Sequence, residues 1–240
     1  MDPMDLSAYT CRGFGVEFDR LMRDIPVAGI DRRQTHSMIR LCTETEPILY
    51  GPSFSPRAIR YRPGSRPRLE EIVQPIRGDV PGAMTWLREH VRHPNFSRHV
   101  PPDRALSEEQ IIDSGVGWCN EQCRVFIALC EVMQVPARLC FLFHANGRTG
   151  HTATEVLIGG KWAVFDVTFG VHIVLPDGSP AEARELQRNH RQLAHRYYQP
   201  PLTEYYRNET PPFDLSRGGD LFEGIGICNY LIEGVEAIHE

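Results

Sequence analysis

The longest regular pattern of hydrophobic positions in the chain covers residues 118–134. Apolar residues recur there every three or four positions and form two adjacent stripes. The first stripe consists of Cys119, Cys123, Phe126, Cys130 and Met133, and the second of Val125, Leu129 and Val132. The pattern predicts a helix that is apolar around much of its circumference and is therefore buried. Pro136 ends this helix, because proline disfavours helical geometry in the residue before it.

The spacing of apolar residues changes from helical to extended after Pro136. Residues 137–143 form an apolar run, whereas residues 151–158 and 162–168 alternate between the two faces of a strand. Gly159-Gly160 separates the alternating runs, and glycine readily adopts the positive φ angles of a two-residue turn. The sequence therefore predicts an antiparallel sheet of all three runs, the last two joined as a hairpin.

Weaker patterns predict shorter elements on both sides of this region. Helices are expected over 14–25, 82–92 and 107–113, and from Pro180 to Tyr198. Ser107 and Gln110 have the spacing of a capping box, which opens a helix by pairing two backbone N–H groups with side chains. Short extended runs are expected over 37–42, 58–62 and 224–235.

The composition is that of a soluble globular protein. Of the 240 residues, 41% are hydrophobic and 24% charged, which excludes a fibrous, coiled-coil or wholly disordered chain. The chain has 26 basic and 31 acidic residues, and a net charge of −5 argues against a general electrostatic attraction to nucleic acid or anionic lipid. No apolar stretch approaches the roughly 20 residues that span a bilayer. We therefore expect neither nucleic acid nor a membrane among the partners.

The amino end and the cysteines indicate the compartment. The first residues are acidic and lack the basic start and apolar centre of a secretion signal. The seven cysteines are odd in number, and a chain of this length does not need disulfides for stability. These features predict a reducing, cytoplasmic location.

Cys119 lies where a helix start favours an ionised thiol. It falls in the first turn of the predicted helix, after a glycine-flanked turn. The positive end of the helix dipole and unpaired backbone N–H groups both favour the thiolate, which is the nucleophilic form. The alternative is that the thiol is a small buried hydrophobic group. That alternative applies more strongly to Cys123, Cys130 and Cys140, which lie deeper in the apolar pattern.

The predicted hairpin brings a histidine and a carboxylate together. With a two-residue turn at Gly159-Gly160, His151 and Asp166 lie on one face as diagonal neighbours, about 7–8 Å apart. A four-residue loop keeps them on one face, whereas a three-residue loop separates them. A carboxylate within an apolar strand is costly unless it is paired, so the contact is a candidate general base with its orienting acid. Glu155 shares this face and is a weaker carboxylate candidate.

A zinc site is the competing interpretation of the cysteines and histidines. Its candidate ligands are Cys119, Cys123, Cys140, His144 and His151. Two cysteines four apart in one helix, without a second closely spaced pair, match structural zinc spacing poorly. We expect neither a metal nor a cofactor.

Four short motifs, in this order, are similar to the core of the transglutaminase-like superfamily of papain-like thiol enzymes. They are Gly117-Trp-Cys119, Val135-Pro136-Ala137-Arg138, His151-Thr-Ala-Thr-Glu155, and Trp162 followed by Asp166-Val-Thr168. The resemblance covers about residues 82–170 and implies a catalytic triad of Cys119, His151 and Asp166. Two positions depart from the family pattern, which often has an aromatic residue at Ala153 and proline at Val167. Both are expected to border the substrate groove.

The residues and the resemblance together lead to one expected fold and activity. The fold is expected to be α+β, with a buried helix that carries the nucleophile packed on an antiparallel sheet. A single domain over 1–240 is expected, in which 1–81 and 171–240 elaborate the core. The expected activity is acyl transfer through a Cys119 thioester, with hydrolysis of a peptide, protein or small amide substrate. An amide-forming acyltransferase, an inactive binding module and a structural domain are the alternatives. The oligomeric state stays open.

Overall fold

One long helix and a seven-stranded antiparallel sheet organise the described part of the chain. The computed structural model describes residues 6–9, 30–31, 38–51, 61–97, 99–101, 103–143, 150–175, 177–189, 197–198, 224–228 and 231–232. The α-helices are α1 (Glu46–Leu49), α2 (Pro67–Val73), α3 (Val80–His90), α4 (Glu108–Ser114), α5 (Cys119–Val132) and α6 (Ala183–Asn189). Short 3-10 turns cover Leu6–Tyr9 and Pro94–Phe96. No helix in the described ranges is long and apolar enough to cross a membrane.

The strands come from distant parts of the chain. They are β1 (Ile30–Asp31), β2 (Ile39–Arg40), β3 (Ala137–Phe143), β4 (Gly150–Ile158), β5 (Lys161–Asp166), β6 (Val171–Ile173), β7 (Tyr197–Tyr198), β8 (Gly224–Cys228) and β9 (Leu231–Ile232). The main sheet has the order β2-β8-β3-β4-β5-β6-β7, and β1 pairs separately with β9. Strand β8 thus lies between β2 and β3, which the sequence patterns did not predict. The α+β architecture predicted from the sequence, a buried helix packed on an antiparallel sheet, is confirmed.

Helix α5 is the centre of the core, as its two apolar stripes predict. Its residues 120–131 are all buried. The helix packs against β3 and β4 on one side and contacts α2, α3 and α4 as well. Trp118 and Met133 cap the helix, so it is slightly shorter than the predicted range of 118–134.

The hairpin between β4 and β5 has the predicted register. Ile158 pairs with Lys161, and Leu157 pairs with Trp162. Gly159 and Gly160 form the two-residue turn with φ angles of +59° and +82°. This register places positions 153 and 166 opposite each other, on the face that also carries position 151.

The helix predicted from Pro180 to Tyr198 is wrong at both ends. At its start, Ala181 N–H donates to the Ile173 carbonyl at 3.0 Å, and Pro180 forms a bridge with Val174. These cross-strand hydrogen bonds replace the first helical turn, so α6 begins only at Ala183. At its end, residues 197–198 form β7 and pair with β6. Local helical spacing is overridden here by strand pairing, which suits two consecutive aromatic residues.

The other predicted elements are either confirmed or lie on residues that the structure does not describe. The helix expected over 82–92 is α3, and the one over 107–113 is α4, with the Ser107–Gln110 capping box in place. The extended runs over 37–42 and 224–235 contain β2, β8 and β9. The helix expected over 14–25 and most of the strand over 58–62 lie outside the described residues.

A buried ion pair fastens the sheet to the elements on its second face. Arg138 is 0% exposed and lies between the rings of Trp162 and Tyr50, 3.9 Å and 4.7 Å from their centres. Its Nε donates to Glu155 Oε2 at 2.8 Å. Glu155 Oε1 also accepts from the Tyr50 hydroxyl and from the Ala183 backbone N–H, both at 2.7 Å. Glu155 therefore links β3, β4, α6 and the end of α1. Its partners are groups that hold these elements together, so its role is structural.

We expect Glu155→Gln to lower the free energy of unfolding by about 3–5 kcal/mol, because it leaves a buried guanidinium without its counter-charge. Chemical denaturation measures this loss. Glu71→Gln is the matched control: it removes the exposed 3.5 Å contact with Arg68, whose expected contribution is below about 1 kcal/mol. Equal effects of the two changes would contradict the structural role of Glu155.

Candidate active site

The turn before α5 places Cys119 at the first position of the helix. Helix α4 ends at Gly115, whose φ of +68° suits glycine, and the chain then turns back through Gly117. A Cβ at Gly117 would lie only 3.2 Å from Glu121 Cβ and 3.3 Å from Val91 Cγ1. The turn therefore packs tightly against α3 and α5. Cys119 is half-buried at the N-terminus of α5, where its backbone N–H belongs to the first helical turn.

His151 and Asp166 are in direct contact on the β4–β5 hairpin. His151 Nε2 lies 2.7 Å from Asp166 Oδ2, and the two side chains are 12% and 2% exposed. Asp166 Oδ1 accepts from the backbone N–H of Phe169 at 3.1 Å. Both carboxylate oxygens thus have partners, which is what a buried carboxylate requires. The diagonal contact expected from the hairpin register is present.

The Cys119 thiol lines the same pocket as His151, and its Sγ contacts Thr152 Oγ1 at 3.9 Å. Burial raises the pKa of Cys119, but hydrogen bonds with His151 and His93 and the charge of His151 outweigh it and lower the pKa to about 5. Burial lowers the pKa of His151, but the charge and hydrogen bond of Asp166 raise it to about 10. Because Nε2 of His151 faces Asp166, Nδ1 is left for the sulfur. Between the two pKa values the pair is a thiolate and an imidazolium.

The other cysteines of the apolar pattern are in different surroundings. Burial raises the pKa of Cys123, Cys130 and Cys140 well above that of an ordinary thiol. Cys123 Sγ donates to the Thr152 carbonyl at 3.3 Å. These thiols stay protonated and act as small core groups. Among the described residues, no cluster of three or more His, Cys, Asp or Glu side chains could hold a metal ion.

A pocket of about 510 Å³ opens at Cys119 and His151. Aromatic rings contribute much of its wall, namely His93, Phe96, Trp118 and Phe169. The expectation that Ala153 and Val167 border this groove is wrong. Both are buried in the core, 1% and 0% exposed, because the strand and the turn after it direct them into the two apolar clusters.

His93 is a site residue that the sequence analysis missed. It lines the pocket together with Cys119 and helps to lower the pKa of that thiol, although it lies 26 positions before it in the chain. The available signal was a His-Pro-Asn turn directly after a predicted helix. That signal is too short to predict which part of the fold the turn would contact.

We expect the rate of Cys119 alkylation by iodoacetamide to rise with pH around pH 5 and to be constant near neutrality. A lowered pKa makes the thiolate available at lower pH, whereas an ordinary thiol becomes reactive near pH 8.5. Mass spectrometry of the Cys119 peptide measures the rate. His151→Asn should move the profile upward, since it removes the positive charge that opposes burial. A wild-type midpoint near 8.5 would contradict the ion pair.

Residues 71–167 match the sequence model of the Transglutaminase-like superfamily. A comparison with curated proteins finds no match. Among solved structures, the chain is similar to "a Putative Cysteine Protease from Cytophaga hutchinsonii", with 22% sequence identity and a TM-score of 0.36. That alignment covers 53% of this chain and 43% of the other, so the chain spans less than half of that protein.

The matched segment corresponds closely to the region in which the sequence motifs were found, about residues 82–170. It contains α5 with Cys119 at its start and the β4–β5 hairpin with His151 and Asp166. Residues 71–167 are therefore similar to the transglutaminase-like superfamily over the segment that holds Cys119, His151 and Asp166.

Proposed function

We propose that the protein catalyses acyl transfer through a thioester on Cys119, and that the usual acceptor is water. The observation that carries the proposal is that Cys119 and His151 line one pocket, where His151 Nε2 lies 2.7 Å from Asp166 Oδ2. A nucleophile, a base within hydrogen-bond reach and a third group that orients the base are the parts that covalent catalysis requires. The superfamily match supports a thiol-dependent activity in general.

The proposed reaction uses the proton that already lies on His151. The Cys119 thiolate attacks the carbonyl carbon of the substrate, and the π electron pair moves onto the oxygen. When the tetrahedral intermediate collapses, the C–N bond breaks and the leaving amine takes the proton from His151. The thioester is then attacked by water, which gives its proton to His151, and collapse releases the acid and the thiolate. Asp166 stabilises the imidazolium and orients the ring throughout.

Water is the acceptor we favour because the pocket is open and the thioester would form at its wall. An amine that reached the same position would give an amide instead, so the two outcomes share every step up to the thioester. Hydrolysis and transfer to an amine can be distinguished with p-nitrophenyl acetate as the acyl donor, assayed with and without added hydroxylamine. Intact-mass measurement should detect one acetyl group on the wild-type protein, and the product analysis should give acetate when the amine is absent. No acyl adduct with this ester or with amide donors would contradict the proposal.

We expect Cys119→Ala to abolish both the acyl adduct and the turnover while leaving the melting temperature nearly unchanged. The sulfur is the proposed nucleophile, whereas α5 is held by the two apolar stripes behind it. Cys42→Ala is the control, because it removes a half-buried thiol elsewhere in the chain. Wild-type turnover in Cys119→Ala would rule out the mechanism.

We expect Asp166→Asn to lower kcat much more than it changes KM. The amide cannot stabilise the imidazolium, and the equivalent change in serine proteases costs about 10⁴-fold in rate. The loss here should be smaller, because a thiol ionises more readily than a hydroxyl. The pKa of His151 should fall, which lowers the upper pH limit of activity. The pKa of Cys119 should rise, which raises the lower pH limit, so the pH range of activity becomes narrower. An unchanged kcat with a raised KM would mean that Asp166 only shapes the pocket.

A further inference from the structure

The backbone holds His93 beside Cys119. The segment after α3 runs alongside the turn that enters α5, with a parallel bridge between Arg92 and Val116. Arg92 N–H donates to the Gly115 carbonyl, and Gly117 N–H donates to the Arg92 carbonyl, both at 3.0 Å. The proximity of His93 and Cys119 is therefore built into the fold by main-chain hydrogen bonds and does not depend on a flexible side chain.

The ring of His93 is fixed in one orientation and one tautomer. It is 8% exposed and lies edge-on to the Trp118 ring, with the ring centres 5.4 Å apart. Its Nδ1 accepts the backbone N–H of Asn95 at 3.2 Å. A ring nitrogen that accepts a hydrogen bond carries no proton, so the proton of the neutral ring lies on Nε2. Since Nδ1 is occupied, Nε2–H is the donor that the ring has left for the pocket it shares with Cys119.

The two histidines beside the sulfur therefore differ in the charge that their surroundings favour and in whether they give up a proton. The far nitrogen of His151 faces the Asp166 carboxylate, which favours a charged ring that can give up a proton. The far nitrogen of His93 faces a backbone N–H, which favours a neutral ring that donates a hydrogen bond and keeps its proton. A fixed neutral donor next to a nucleophile suits a position where negative charge develops on substrate oxygen.

We propose that His93 Nε2–H is the side-chain donor of the oxyanion hole, acting together with the backbone N–H of Cys119. This inference rests on the proposed acyl transfer. When the sulfur bonds to the carbonyl carbon, the oxygen that gains the electron pair lies two bonds from the sulfur, in the pocket that His93 and Cys119 line together. His93 transfers no proton, and its hydrogen bond is released when the carbonyl re-forms. The backbone N–H of Cys119 has no partner within the helix, as expected for the first turn.

Two reactions at the same sulfur test this role. Acylation by p-nitrophenyl acetate develops an oxyanion, whereas alkylation by iodoacetamide displaces iodide without one. His93→Phe keeps a ring against Trp118 but removes the donor, and His93→Gln retains an N–H donor. For each variant, both rates are measured at a pH at which the Cys119 thiol is fully ionised. Differences in the thiolate fraction between variants then do not affect the comparison of rates. His93→Phe should slow acylation by about 10²–10³-fold and leave alkylation nearly unchanged, and His93→Gln should recover much of the acylation rate.

The outcomes separate this proposal from the proposed function. If wild-type Cys119 is alkylated but never acylated, the acyl-transfer function itself fails. If the wild type is acylated and His93→Phe is acylated equally fast, only the role of His93 fails. Equal slowing of both reactions, or no recovery with His93→Gln, would also overturn it, because His93 would then act on the thiolate or on the fold. Melting curves establish that the variants fold, and His93→Leu replaces His93→Phe if the larger ring does not fit.

Discussion

The contact between the buried Asp166 carboxylate and the His151 ring is the interaction on which the electrostatics of the site depends. A carboxylate that is 2% exposed is costly without compensation, and here both oxygens have partners, the ring on one side and the Phe169 N–H on the other. The same contact keeps His151 charged despite its burial, and the charged ring in turn keeps Cys119 ionised despite the burial of the thiol. Without the carboxylate, burial would favour the neutral form of both partners.

The parts of the site are held by two separate frameworks. The β4–β5 register fixes His151 relative to Asp166, since a slip of one residue would put them on opposite faces of the sheet. The main-chain hydrogen bonds between the segment after α3 and the turn before α5 fix His93 relative to Cys119. Helix α5 packs on β4, and this packing brings the two frameworks together. Precise positioning of this kind is what catalysis by preformed groups requires.

The features that the sequence predicted are those set by local patterns. The apolar stripes of α5, the Ser107–Gln110 capping box and the Gly159-Gly160 turn each depend on neighbours within a few positions, and the hairpin register follows from the turn. The insertion of β8 beside β3 and the pairing of Tyr197–Tyr198 with β6 depend on partners far along the chain, which no local spacing reveals. His93 was missed for the same reason. Its proximity to Cys119 arises from main-chain hydrogen bonds between the segment after α3 and the turn before α5, which are far apart in the sequence.

The difference between the two histidines has a consequence for the reactivity of the sulfur. The intrinsic nucleophilicity of a thiolate falls as its pKa falls, so a second cationic ring beside Cys119 would increase the thiolate fraction but weaken its attack. Near neutrality the thiolate is already formed with one imidazolium, and further stabilisation would bring no gain. A neutral ring at His93 avoids this loss, because its hydrogen bond can shift from the sulfur to the substrate oxygen as charge moves there. In the proposed reaction, the Asn95 N–H on Nδ1 is therefore what keeps His93 a neutral donor that can stabilise the transition state without adding a second positive charge beside the thiolate.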